Sequence, residues 1–342
     1  VYPGGVTAVY TLDFADRPDS LTVQRSGLPD QAVASVGVYE PSGPLSSVLL
    51  GSGLTETRSF TNRYFPQAID LGSGSPILDW TYTTDAVGNI LTITDGLDAT
   101  QNRIYTYQDF QYFLTGGNGP WGTRAWTYDM IGNRVTENKD ALPQETYFYL
   151  QNTATPPGNT PILEESQANA ATLRDYVYGP AGHLVRVTSG ANEILFTSNA
   201  EGRLSRLMRD AGDARSDLAY DGRSFLSQAS AGPLSSIFSD GFESGDVRCW
   251  SGVVGDPNPP APENCNPFPS TLPTYSSDGV LMAVHKDSGQ SSELTRYYLY
   301  FSGRPIAQLD RLPSGPETWR FLTTDHLVTS VMATALSGTA LW

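Results

Sequence analysis

The sequence predicts an all-β protein, a long antiparallel sheet of hairpin repeats whose twist makes the ribbon curl. Three observations lead there. Turn formers are abundant and charge is scarce, with 33 Gly, 24 Pro and charged residues at 17% of the 342-residue chain, unlike helical bundles or coiled coils. Aromatic residues supply apolar area to bury, with 18 Tyr, 13 Phe and 6 Trp, which excludes a disordered chain. A short phrase recurs along the chain, and Tyr107, Tyr128 and Tyr149 are spaced at 21 residues.

The phrase is clearest at Asp85-Ala86-Val87-Gly88-Asn89-Ile90 and Asp129-Met130-Ile131-Gly132-Asn133-Arg134. Earlier versions run from Tyr10-Thr11-Leu12-Asp13 to Arg17 and through Tyr39-Glu40-Pro41-Ser42-Gly43. Looser ones follow at Gly179 to Leu184 with Gly182, at Asn199 to Leu204 with Gly202, and at Tyr220-Asp221-Gly222-Arg223. Asp or Asn opens a type I turn by bonding the backbone ahead of it. Gly, three residues on, takes the left-handed conformation that a hairpin loop with a G1 bulge requires. The flanks are β-prone: Trp80 to Thr83, with Tyr82, enters one turn, and Ile90 to Thr94 leaves it. Because one hairpin is barely stable in water, successive copies are expected to join edge to edge in one twisted sheet.

The formal net charge of −15 and the absence of a basic run argue against nucleic acid and anionic membranes as partners. No apolar stretch approaches the ~18 residues of a membrane span. The chain begins at Val1 without a leader, which reads as a removed signal peptide or as a piece of something longer.

Catalytic patterns are missing. His183, His285 and His326 form no His-Glu-x-x-His, and no Gly-x-Ser-x-Gly elbow occurs. Gly116-Gly117-Asn118-Gly119 lacks a following Lys-Ser or Lys-Thr and reads as a long hairpin connection. Trp80, Trp121, Trp126, Tyr147 and Tyr149 read as sheet packing rather than a sugar platform. The expectation is a non-enzyme with no cofactor and no metal.

Residues 237–274 read as an inserted loop. Pro257, Pro259, Pro260, Pro262, Pro267, Pro269 and Pro273 argue against a central strand or a helix there. Cys249 and Cys265 read as a disulfide rather than a zinc site, since no His is near. Asp240, Glu243 and Asp246 have a spacing that could wrap calcium, but read first as a solvated acidic loop. The phrase Asp240-Gly241-Phe242-Glu243-Ser244-Gly245-Asp246 is similar to one near the ends of many secreted bacterial proteins.

Tyr128-Asp129-Met130-Ile131-Gly132-Asn133-Arg134 resembles the YD-repeat signature of RHS proteins. The stretch Tyr298-Leu299-Tyr300-Phe301-Ser302-Gly303-Arg304-Pro305-Ile306-Ala307-Gln308-Leu309, then Thr324-Asp325-His326-Leu327 and Trp342, is similar to the RHS core region. The resemblance covers roughly 1–236, as YD/RHS-repeat sheet, and 275–342, as its continuation into the core region. It implies a spiral β-sheet winding into a hollow shell, which encloses a toxin in bacterial relatives and forms part of an adhesion receptor in teneurin-like animal ones. The partner expected is then an enclosed toxin, the rest of the same polypeptide, or another copy joined through open sheet edges. The expected location is outside a bacterial cell or on its surface. Arg304, Pro305, Asp325 and His326 are expected to be structural, the Asp325-His326 step through a hydrogen bond. Val328-Thr329-Ser330 stands where the family has Gly-Thr-Pro or Gly-Ser-Pro, so the sequence lacks the glycine of the tight turn. The self-cleaving aspartate site and the toxin domain of relatives have no counterpart residues here.

Overall fold

The computed structural model describes residues 1–41, 43–209, 214–232, 270–287 and 293–341. Among these the fold is all-β, with twenty-six strands in one sheet and short 3-10 turns at Pro3–Gly5 and Ala99–Gln101. No helix among the described residues is long and apolar enough to cross a membrane. The predicted insertion, with Cys249, Cys265, Asp240, Glu243 and Asp246, lies largely outside the described residues, as does Trp342.

The strands are β1 (Val6–Leu12), β2 (Pro18–Arg25), β3 (Leu28–Tyr39), β4 (Leu45–Leu50), β5 (Thr55–Phe60), β6 (Pro66–Ser73), β7 (Ser75–Thr84), β8 (Ile90–Asp95), β9 (Arg103–Tyr107), β10 (Leu114–Gly119), β11 (Gly122–Tyr128) and β12 (Arg134–Lys139). Then come β13 (Glu145–Gln151), β14 (Asn159–Ala168), β15 (Ala171–Tyr178), β16 (Leu184–Ser189), β17 (Asn192–Ser198), β18 (Leu204–Arg209), β19 (Ala214–Tyr220), β20 (Leu226–Gly232) and β21 (Ser270–Tyr275). The last are β22 (Leu281–Lys286), β23 (Leu294–Phe301), β24 (Arg304–Arg311), β25 (Thr318–Thr324) and β26 (Ser330–Ala335). Sequence neighbours pair antiparallel from β1 to β12, from β13 to β21 and from β23 to β26. Alternate strands reverse direction, so within each run the turns that follow odd-numbered strands share one rim.

The chain forms two compact units. Unit 1 comprises Val1–Leu142, Leu281–Ala283 and Thr295–Trp342; unit 2 comprises Pro143–Val280 and Val284–Leu294. Unit 1 owns a hydrophobic core in which Val6, Leu21, Val23, Leu50, Ile69, Leu71, Trp80 and Tyr82 meet Leu299, Phe301, Leu309, Trp319 and Phe321. The first strands are thus sealed by the last ones. The Tyr2 and Tyr10 hydroxyls donate to the carbonyls of Tyr298 and Tyr300. In unit 2 the buried side chains among the described residues are Glu145, Tyr147, Ser166 and Val284 alone, which is what a single layer of sheet can bury.

Two expectations are corrected. Gly116 to Gly119 belong to β10 and are not a hairpin connection. A glycine strand leaves backbone unshielded, and here the Tyr105 and Trp126 rings lean over Gly117 while Trp121 covers Gly119. The strand resumes at Ser270, inside the stretch assigned to the insertion, as β21. Ala229 pairs with Thr271 and Ser230 with Ser270. Pro273 lies beyond those pairs, where its missing N–H takes nothing from the β20 ladder.

Candidate functional site

The recurring phrase builds one device repeatedly. In the turn after β7 the Asp85 carboxylate accepts the backbone N–H groups of Val87 and Asn89 and the Asn89 side-chain amide, at 2.8–2.9 Å. The Gly88 N–H returns to the Asp85 carbonyl, and Gly88 takes φ of 99°. Asp129, Gly132 and Asn133 repeat the pattern after β11. Gly182 and Gly202 close the turns after β15 and β17 with positive φ. These bonds hold the Asp85 carboxyl below the ordinary range, against the partial desolvation that opposes them.

Several turns also seat the next one on their rim. The Phe65 ring lies against Gly88, Phe113 against Gly132, the exposed His183 against Gly202 and Phe225 against Gly279. A second staple uses the tyrosine that precedes the turn. Tyr128 donates to the Leu114 carbonyl, Tyr220 to Leu204, Tyr300 to Leu281 and Tyr39 to Pro18. Each bond ties the end of an odd strand to the start of the preceding even strand. Tyr82 does something else. It stands three residues before Asp85, is buried in the core of unit 1 and meets the His326 ring edge-on, with centroids 5.5 Å apart.

The core-region residues gather around that contact. Arg58 on β5 donates to Glu56 and to the Thr324 carbonyl, each at 2.6 Å. Arg304 on β24 reaches Glu56 at 3.8 Å. Two guanidinium groups thus share one buried carboxylate, and burial together with Arg58 pushes Arg304 down to about 10. Pro305 sits opposite Tyr300, where the β23–β24 register shifts. Asp325 does form a structural hydrogen-bond set, accepting the Leu327 and Thr329 N–H groups. The imidazole does not. His326 Nδ1 is buried without a hydrogen-bond partner among the described residues, because the Asp325 carboxylate is turned toward the backbone. The turn there closes despite the lack of glycine, with Val328 at φ of 67°.

A cleft of about 490 Å³ in unit 1 is lined by Trp80, Asp95, Leu97, Arg103 and Met332, among others. Its polar groups are engaged within the chain, Asp98 and Gln101 with Thr100. Trp80 Nε1 donates to Asp95, and the Arg103 guanidinium lies 4.4 Å over the Trp80 ring. Among the described residues no three His, Cys, Asp or Glu side chains converge as metal ligands do.

Unit 2 presents two faces that differ in charge, which sequence reading did not separate. Directly paired residues share a face and alternate residues change it. One face carries Tyr176, Val187 and Ile194 in one row and Phe196 and Leu207 in the next, then Leu218 with Ala229; Arg209, Ser216, Ser205, Ser189 and Asn192 are among its polar members. The other carries Val177, Leu195 and Met208 in one row with Arg186 and Arg215, together with Arg186 near Glu193 and an Arg206–Asp217–Arg215 cluster. Tyr176, Val187, Ile194, Phe196, Leu207 and Leu218 are all half-buried. Strand alternation was visible in the chain, but the register that aligns these rows came only with the pairing.

No protein-family model matches the chain, and no curated protein matches it. Its fold is similar to a chain of the Tc holotoxin pore of Photorhabdus luminescens, with a TM-score of 0.71 at 15% identity over 98% of this chain. A TcdB2–TccC3 crystal structure is also matched, at 13% identity over 98% of this chain, with a TM-score of 0.41. The chain spans about a sixth of the length of these proteins, 16% and 17%. At such identities the likeness is one of fold, a β-sheet repeat found in toxin-complex chains.

Proposed function

We propose that the chain is a non-catalytic wall segment of a secreted bacterial RHS-type shell, whose apolar face in unit 2 lies against an enclosed polypeptide. The carrying observation is the set of apolar side chains from Tyr176 to Leu218 on one face, none of which is fully buried among the described residues of unit 2. Sheets normally hide such a face against another layer, and an uncovered one marks an interaction site. The opposite face mixes Val177, Leu195 and Met208 with the ion pairs of unit 2. The YD-repeat resemblance and the fold shared with a Tc holotoxin chain support the same reading. Its rival is a surface protein that polymerises through sheet edges. Against that rival, Tyr10 on β1 and Tyr2 just before it hold this end of the sheet to β23 through their hydroxyls.

The test places a photo-crosslinking residue at position 207, then at 206, in the chain within its native polypeptide. Crosslinks to another segment or subunit from 207 alone support enclosure. Equal capture from both faces, or none, overturns it. A polysaccharide substrate panel with saturable turnover would overturn the non-catalytic part independently.

A further inference from the structure

We infer that His326 is an acid-sensitive latch, holding the turn between β25 and β26 against β7 while neutral and releasing it when protonated. The imidazole packs edge-on against Tyr82, and its buried Nδ1 meets no acceptor among the described residues. The Tyr82 hydroxyl is likewise buried without a partner. A neutral ring tolerates that setting with Nδ1 unprotonated, as the Nε2 tautomer. An imidazolium carries an N–H at both positions, and its Nδ1–H would meet no acceptor among the described residues, at a cost typical of an unsatisfied buried donor.

The surrounding charges decide which side wins. From β5, Arg58 binds the Thr324 carbonyl just before the turn. From β9, Arg103 and Tyr105 act electrostatically on Tyr82, as do Arg58 and Asp325. Asp325, in the turn itself, favours the imidazolium, but its carboxylate is occupied by two backbone N–H groups. Burial outweighs it and holds His326 below the ordinary histidine range. A depressed folded value means stability present above the unfolded value, near 6.5, and lost as pH falls through the folded one. The contact joins β7, from the first part of unit 1, to the last hairpin, so its loss frees an end of the core seam.

The experiment is amide hydrogen exchange on the whole chain at about pH 7.5 and about pH 5, as protection factors corrected for intrinsic rate. Expected is a loss of protection confined to β25, β26 and β7, with β2 and β3 unchanged, and absent in His326→Phe, which keeps the edge-on ring. The same local loss in His326→Phe, or no local loss in the native chain, overturns the latch. Should His326→Phe fail to fold, NMR titration of His326 in the native chain decides. A midpoint below the ordinary histidine value supports the latch, and one at or above it overturns it.

Discussion

Val328 and Gly88 solve the same geometric problem with opposite side chains. Both hold a left-handed backbone, at φ of 67° and 99°, and a β-branched residue is strained there. Val328→Gly is therefore expected to stabilise the chain by roughly 1 kcal/mol, read as a higher midpoint in urea unfolding. Gly88→Ala should do the reverse, losing about 1–2 kcal/mol, because an added Cβ would also lie 2.7 Å from the Phe65 ring. The recurring phrase, in its strict and looser copies, pointed to Gly88, Gly132, Gly182 and Gly202 as turn positions, and each takes a positive φ. It did not announce the ring that covers Gly88 or Gly132, since Phe65 and Phe113 arrive from the preceding turn, about two strands away. Tyr82 and Tyr128 looked alike in sequence, yet one is core and the other a staple. Offset from the aspartate separates them, and that signal was available.

Hairpins in this protein are tied to their neighbours as well as closed within themselves. Tyr128 and Tyr220 each bond a carbonyl of the preceding strand at 2.8 Å. Tyr220→Phe should keep the ring and lose about 1 kcal/mol, with faster hydrogen exchange at the start of β18 as its local mark. Within β23–β25, Asp310 is gripped by Arg296 and Arg320. Hydrogen bonds from these arginines hold its carboxyl below the ordinary range although burial acts against them. A depressed carboxyl contributes stability above its unfolded value, near 3.8, and that contribution disappears as pH falls through the folded one. Asp310→Asn is expected to cost roughly 2 kcal/mol at neutral pH, toward the lower end for such pairs because both arginines are partly exposed. Its unfolding midpoint should then fall less steeply than the native one as the solution is acidified below about pH 4.

At the scale of the molecule, the two units bury very different amounts of apolar surface. Unit 1 closes a core between its first and last strands, whereas Tyr147 and Val284 are the fully buried apolar side chains among the described residues of unit 2. Local stability follows buried contacts, so amides of β15 to β20 should exchange well before those of β2, β3 and β24. Equal protection in the two units of the isolated chain would mean that something covers the apolar face of unit 2. A bound polypeptide should slow exchange there and leave unit 1 unaltered.

What the sequence by itself determined is local chemistry: the hairpin turns, the β class and the period of the repeat. Asp, Gly and alternating β-prone flanks act over a few residues, so their meaning survives without knowledge of partners. The β10 strand escaped because its glycines have no strand signal of their own and depend on Tyr105, Trp121 and Trp126 for cover. The resumption at Ser270 escaped because proline argued locally against a strand that β20 imposes from outside. Only the tertiary structure decided that His326 would face Tyr82, that Arg58 and Arg304 would share Glu56, and that the ion pairs of unit 2 would gather on one face. Those outcomes depend on register and on contacts between residues more than 200 positions apart, where a one-residue slip would turn every side chain to the other face.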